Sequence, residues 1–117
     1  VICLMKGQVG EARKGATMRL GNMECDGVKN SLLWPIYRKD SIVERHRHRY
    51  EVNPAWEAAL VEKGLSVSGY CHGSKVIEAI ELKSHPWFVG VQFHPEFQSR
   101  PHDAHPLFVS FVKACLK

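Results

Sequence analysis

Three stretches of the chain carry residue types whose spacing could do chemistry. In Val89-Gly90-Val91-Gln92-Phe93-His94-Pro95-Glu96-Phe97 an apolar run leads directly into a His, a Pro and a Glu. A histidine held at a strand end can act as a general base. A carboxylate two residues on can turn back to hold the other ring nitrogen, fixing the tautomer and stabilising the imidazolium. Pro95 stiffens that turn. The plainer alternative is a surface histidine beside an unrelated glutamate, because His-x-Glu is a short pattern. Such a pair also needs a nucleophile, and none of Cys3, Cys25, Cys71 and Cys115 lies in a glycine-rich strand-to-helix elbow that would expose a thiol.

The second stretch is Glu44-Arg45-His46-Arg47-His48-Arg49-Tyr50-Glu51-Val52. At least one arginine here could clamp a substrate carboxylate, since the guanidinium fork matches its two oxygens. A solvated strand balanced by Glu44 and Glu51 is the bland alternative. Nucleic-acid binding lacks a series of stacking aromatics and any second basic cluster. His46 and His48 are same-face strand neighbours without a third nearby Cys or carboxylate, so they read as structural and no metal site is expected. The third stretch, Lys14-Gly15-Ala16-Thr17-Met18-Arg19-Leu20-Gly21, places a hydroxyl and a cation among small residues, where amides and Arg19 could receive a phosphate or a base. It is no Walker loop, and a tight turn entering a strand explains its glycines equally well.

The elements that must position these residues follow from pattern and punctuation. Val1–Met5 reads as a buried strand, Gly7–Gly15 as an exposed loop, Ala16–Leu20 as a strand and Gly21 as a turn. Asn30-Ser31 caps a short helix that Pro35 limits. Ile42–Val52 alternates as one strand, with Arg45, Arg47 and Arg49 on one face and His46, His48 and Tyr50 on the other. Asn53-Pro54 starts a helix through Ala55–Glu62 that Gly64 closes. Strands over Leu65–Gly69, Val76–Leu82 and Phe88–Phe93 follow. Leu107, Phe108, Phe111, Val112 and Cys115 fall at helical spacing, predicting an amphipathic helix over Pro106–Leu116 that docks on the sheet.

Composition bounds the class. The 117 residues are 44% hydrophobic and 24% charged, with mean hydropathy -0.24, which suits one globular core rather than two. The longest apolar runs fall far short of the ~18 residues of a membrane span, and charges break the first thirty residues, so neither a span nor a secretory signal is expected and the cytosol is the expected compartment. The net charge of +4 favours anions without the single-sign blocks of a nucleic-acid tail. The four cysteines are too dispersed for a zinc knuckle or a disulfide framework and read as reduced thiols.

Taken together, KGATMRLG, ERHRHRYEVNP, HPWFVGVQFHPEFQSRP and HPLFVSFVKA, in that order, resemble the C-terminal half of the glutamine amidotransferase domain of the CTP synthases. The resemblance covers essentially the whole chain. ERHRHRYEVNP is its most specific part, whereas HPE is shared by many class I amidotransferases. It implies an α/β fold: part of a class I, flavodoxin-like α/β domain, a mixed sheet with flanking helices, of which residues 1–117 form the C-terminal part. It implies a ligase that makes CTP from UTP, ATP and glutamine, with ammonia passing internally from the amidotransferase to the synthase domain. In the family a cysteine activated by the His and Glu of HPE attacks the glutamine amide, and His94 and Glu96 match those two members. Arg49 matches the arginine that contacts glutamine, with Tyr50 beside it. Thr17 and Arg19 match a lid loop linked to activation by GTP.

No cofactor is implied for this segment; ATP, Mg2+ and GTP belong to the whole enzyme, as do UTP, the synthase domain and a homotetramer. Gly15-Ala16 replaces the family's two glycines before the Thr, a departure that bears on the response to GTP. The family's nucleophile elbow, oxyanion-hole glycines and synthase domain lie N-terminal to anything in this sequence. The chain is therefore expected to be part of a longer enzyme and inactive alone. A stand-alone remnant, another class I amidotransferase or a binding module for a nucleotide or acidic partner are the alternatives.

Overall fold

In the computed structural model, residues 1–4 and 19–117 are described. The expected Gly7–Gly15 loop, the start of the Ala16–Leu20 strand and Thr17 lie outside the described residues. The order is β1 (Ile2–Leu4), β2 (Arg19–Gly27), α1 (Leu33–Tyr37), β3 (Ser41–His48), β4 (Tyr50–Val52), α2 (Glu57–Glu62), β5 (Leu65–Cys71), β6 (Ile77–Leu82), β7 (Val89–Val91) and α3 (Pro106–Cys115). Among the described residues the strands form one sheet in the order β1-β4-β6-β5-β2-β3, with β7 also paired to β6. Every pairing between them is antiparallel, and the helices flank the sheet.

The turn chemistry acts much as the sequence suggests. Ser31 Oγ accepts from the Trp34 amide at 3.2 Å and opens α1. Pro35 sits in its first turn, where a missing amide costs little. Arg38, with φ 54°, ends that helix. Asn53 Oδ1 accepts from the Ala55 amide at 3.0 Å, a 3-10 turn over Pro54–Trp56 leads into α2, and Gly64 follows with φ 94°. All four cysteines are free.

Four expectations need correction. Gly21 is not a turn: it lies within β2, opposite His46, where its φ of 99° is absorbed without breaking the ladder. Ile42–Val52 is not one strand. The chain bends at Arg49, so β3 pairs with β2 whereas β4 pairs with β1 and β6. The bend shifts the alternation, so Tyr50 faces solvent and Glu51 is buried, and Tyr50 does not share the face of His46 and His48. Finally, α3 meets the core through Leu107 alone. Beyond that it packs on α1 and on Trp87, whose ring lies 5.2 Å from Phe111 and whose Nε1 donates to Ser110 Oγ at 2.8 Å.

The apolar core gathers Cys25, Leu33, Ile42, Ala79, Phe93 and Leu107. Along β3 the inward face changes character, from Ile42 to Glu44 to His46, all buried. The sheet curls so that the segment after β7 reaches β3, with the His94 amide donating to the Arg45 carbonyl at 2.8 Å. That curl brings the two most informative sequence stretches together.

Candidate functional site

His94 follows β7 with φ -114° and ψ 87°, outside the helical region that a following proline disfavours. Pro95 opens a 3-10 turn over Pro95–Gln98. The turn carries Glu96 back over the chain, and its Oε1 lies 2.7 Å from His94 Nδ1. This hydrogen bond holds the Glu96 carboxyl below its ordinary range. With Nδ1–H donating to the carboxylate, Nε2 keeps the lone pair that a general base needs. Gln98 Nε2 donates to the Val43 carbonyl at 3.1 Å, so both ends of the turn are tied to β3. The ring of Phe97 lies 5.4 Å from that of His94.

Arg49 occupies the bend between β3 and β4 and is half-buried. Its Nε is buried without a hydrogen-bond partner among the described residues. A guanidinium with an unsatisfied buried donor is prepared to receive an acceptor. Next to it, the carbonyl of Tyr50 accepts from Gln92 Nε2 at 2.6 Å and contacts His48 Nδ1 at 2.9 Å, joining the bend to the strand that leads into His94. The side chain of Tyr50 is exposed.

Arg19 does not present a free guanidinium. It is half-buried, ion-paired to Glu78 and hydrogen-bonded to Cys71 Sγ, so its cationic group points into the protein. Burial acts to lower its affinity for a proton, but the Glu78 carboxylate and Cys71 more than offset this, and the group stays firmly charged.

Pattern reading missed the buried polar groups on the inner face. The alternation suggests Glu44 as a surface partner for the arginines; instead its Oε1 accepts from the Tyr37 hydroxyl at 2.7 Å and lies 2.7 Å from His105 Nε2. Glu51 is buried too. His105 also accepts from the Leu107 amide at 3.3 Å, so one network ties α1, β3 and the start of α3 together. Beyond it, His46 Nδ1 lies 3.0 Å from His48 Nε2 and 3.4 Å from Glu78 Oε2. The carboxylate missing from the histidine run thus arrives from β6. Burial pushes His46 down to about 4, and raises Glu78 to about 7 despite the opposing pull of Arg19. A lone glutamate inside the apolar run Ile77-Glu78-Ala79-Ile80 was the available signal.

Of the cysteines, Cys25 is fully buried and its thiol is pushed up to about 12 by burial, which makes it inert. Cys71 is held by Arg19, Cys115 is exposed near the end of α3, and Cys3 lies in β1.

A family model described as class-I glutamine amidotransferase matches residues 4–114. The chain is 53% identical over 116 residues to the CTP synthase of Clostridium kluyveri, covering 99% of this chain and 22% of that protein. It is 50% identical over 117 residues to the CTP synthase of Bdellovibrio bacteriovorus, covering 100% of this chain and 22% of that protein. The chain thus spans about a fifth of the length of these curated relatives. A solved structure of the glutaminase domain of Trypanosoma brucei CTPS with bound acivicin is 38% identical, with a TM-score of 0.88 over 97% of this chain and 45% of that one.

Proposed function

The chain belongs to the class I glutamine amidotransferases, and from that premise we propose that residues 1–117 are the C-terminal part of the glutaminase domain of a CTP synthase. The observation that carries this reading is the His94–Glu96 pair at 2.7 Å at the end of β7.

In this reading the nucleophilic cysteine is supplied by the part of the enzyme N-terminal to this chain. His94 Nε2 takes the thiol proton as the sulfur attacks the amide carbon of glutamine. Collapse of the tetrahedral adduct breaks the C–N bond, and the imidazolium returns its proton to the departing ammonia. His94 then takes a proton from water, which attacks the thioester, and the released thiolate recovers the proton as glutamate leaves. Glu96 keeps Nδ1 protonated and steadies the imidazolium formed in each half-reaction. Arg49 binds a carboxylate of the glutamine through its fork, with Tyr50 beside it.

Ammonia then serves an ATP-dependent amination of UTP to CTP on a synthase domain, where ATP, UTP and Mg2+ are held by residues outside this chain. Thr17 and Arg19 belong to a lid that answers to GTP. With Arg19 turned onto Glu78, its part in that lid is to anchor the loop rather than to meet the nucleotide. A homotetramer in the cytoplasm completes the proposal.

The test is ammonia release from glutamine by the full-length natural polypeptide carrying this chain, with UTP, ATP and GTP present. His94→Ala should lose turnover by ~10²-fold or more, the usual contribution of a positioned base. Arg49→Ala should raise KM by ~10-fold or more, because a charge-assisted clamp contributes about 1.5–3 kcal/mol. Unchanged activity in both variants overturns the reading, and an inactive wild type points instead to a binding module.

A further inference from the structure

We propose that His46, His48 and Glu78 form a three-ligand site for a divalent transition-metal ion of the zinc type. This inference is independent of the glutaminase reading. The three residues each offer one ligand atom, and these atoms all lie within 4.8 Å of one another. Two imidazoles and one carboxylate are a donor set that suits zinc with a fourth position open.

The spacing fits. Bonds of about 2.0–2.1 Å in a tetrahedron place neighbouring ligand atoms roughly 3.3 Å apart. His46 Nδ1 lies 3.0 Å from His48 Nε2 and 3.4 Å from Glu78 Oε2. The supporting contacts point the same way. His48 Nδ1 lies 2.9 Å from the Tyr50 carbonyl, which can only accept, and 3.1 Å from Gln92 Nε2; donation to the carbonyl leaves Nε2 free to present its lone pair. Arg19 takes Glu78 Oε1 and turns Oε2 toward His46. Glu78 is only 1% exposed, yet its Oε2 makes no hydrogen bond among the described residues. A buried carboxylate oxygen left in that condition calls for a partner.

The backbone explains how Glu78 comes to face the histidines. In the β5–β6 ladder Gly69 opposes Ala79 and Tyr70 opposes Ile77, so Glu78 is the extra residue of a bulge. Bulges re-aim a side chain in this way, and consecutive burial of Ile77, Glu78 and Ala79 is the result.

The experiment titrates chelator-treated full-length polypeptide carrying this chain with Co2+ alone, then displaces it with Zn2+. Saturable binding should give the visible bands of a four-coordinate Co2+ ion. Glu78→Gln and His48→Gln should each weaken that binding by at least ~10-fold, a loss that even outer-shell changes produce. His72→Ala, which alters the exposed His72–Asp26 pair, should leave it unchanged. X-ray absorption of the zinc-loaded wild type should show two imidazole ligands and no sulfur, a readout that does not depend on whether any variant folds. Absence of saturable binding, binding indifferent to both substitutions, or a sulfur-ligated ion overturns the proposal.

Discussion

At the residue scale, the His94–Glu96 pair shows how little sequence is needed to fix a local geometry. Proline keeps the residue before it out of the helical region and opens the turn that follows, so the glutamate two positions on is delivered to the ring. The pair has a measurable signature. Because hydrogen bonding to His94 favours the ionised carboxylate, the Glu96 carboxyl should titrate below the ordinary glutamate range by carboxyl-selective NMR. The contribution of the pair is present above the ordinary glutamate range and is lost as pH falls through the lowered value. In His94→Ala the titration should return to the ordinary range; an unshifted wild-type value would mean the pair is not formed in solution. Arg49 illustrates the other case. Its residue type suggested a clamp, but the unsatisfied Nε that gives the idea physical content follows from a bend that alternation did not predict.

At the element scale, the departures from regularity matter most. One bend at Arg49 sends β3 and β4 to different partners, and one bulge at Glu78 turns a carboxylate inward. Close packing beside the bulge is tight. A Cβ on Gly69 would lie 3.0 Å from Cys25 Sγ and 3.2 Å from Ala79 Cβ, so β2, β5 and β6 meet there with no room for a methyl group. Gly69→Ala should therefore cost ~1–3 kcal/mol by overpacking. Amide hydrogen exchange in β2, β5 and β6 should quicken by roughly 5- to 150-fold, the same energy expressed as an equilibrium factor. Unchanged exchange would show that the neighbouring strands yield without cost.

At the scale of the whole molecule, the described residues leave much apolar surface uncovered. Ile2 and Leu4 on β1, and Phe108, Phe111 and Val112 on α3, with Leu116 just beyond it, are all exposed. No described helix is long and apolar enough to cross a membrane. Exposed apolar patches of this kind mark contact surfaces or aggregation sites. The 117-residue polypeptide alone should bind a hydrophobic dye and scatter light on concentration, and Val112→Ser with Leu116→Ser should reduce both. A dye-negative, non-associating polypeptide would show that these side chains find cover within the chain itself.

The sequence by itself determined the local items: the caps at Ser31 and Asn53, the strands between turn residues, the His-Pro-Glu turn, and the motif order that identifies the amidotransferase family. These depend on neighbours in the chain, through dihedral preference, hydrogen-bonding reach and side-chain periodicity. Only the tertiary structure decided that Glu44 belongs to Tyr37 and His105, that Arg19 reaches Glu78 and Cys71, and that Glu78 of β6 comes to lie against His46. Those partners are distant in sequence. Their meeting depends on how far the sheet curls and where its register slips, and the alternation of residue types does not say which partner a bend or bulge brings a side chain to.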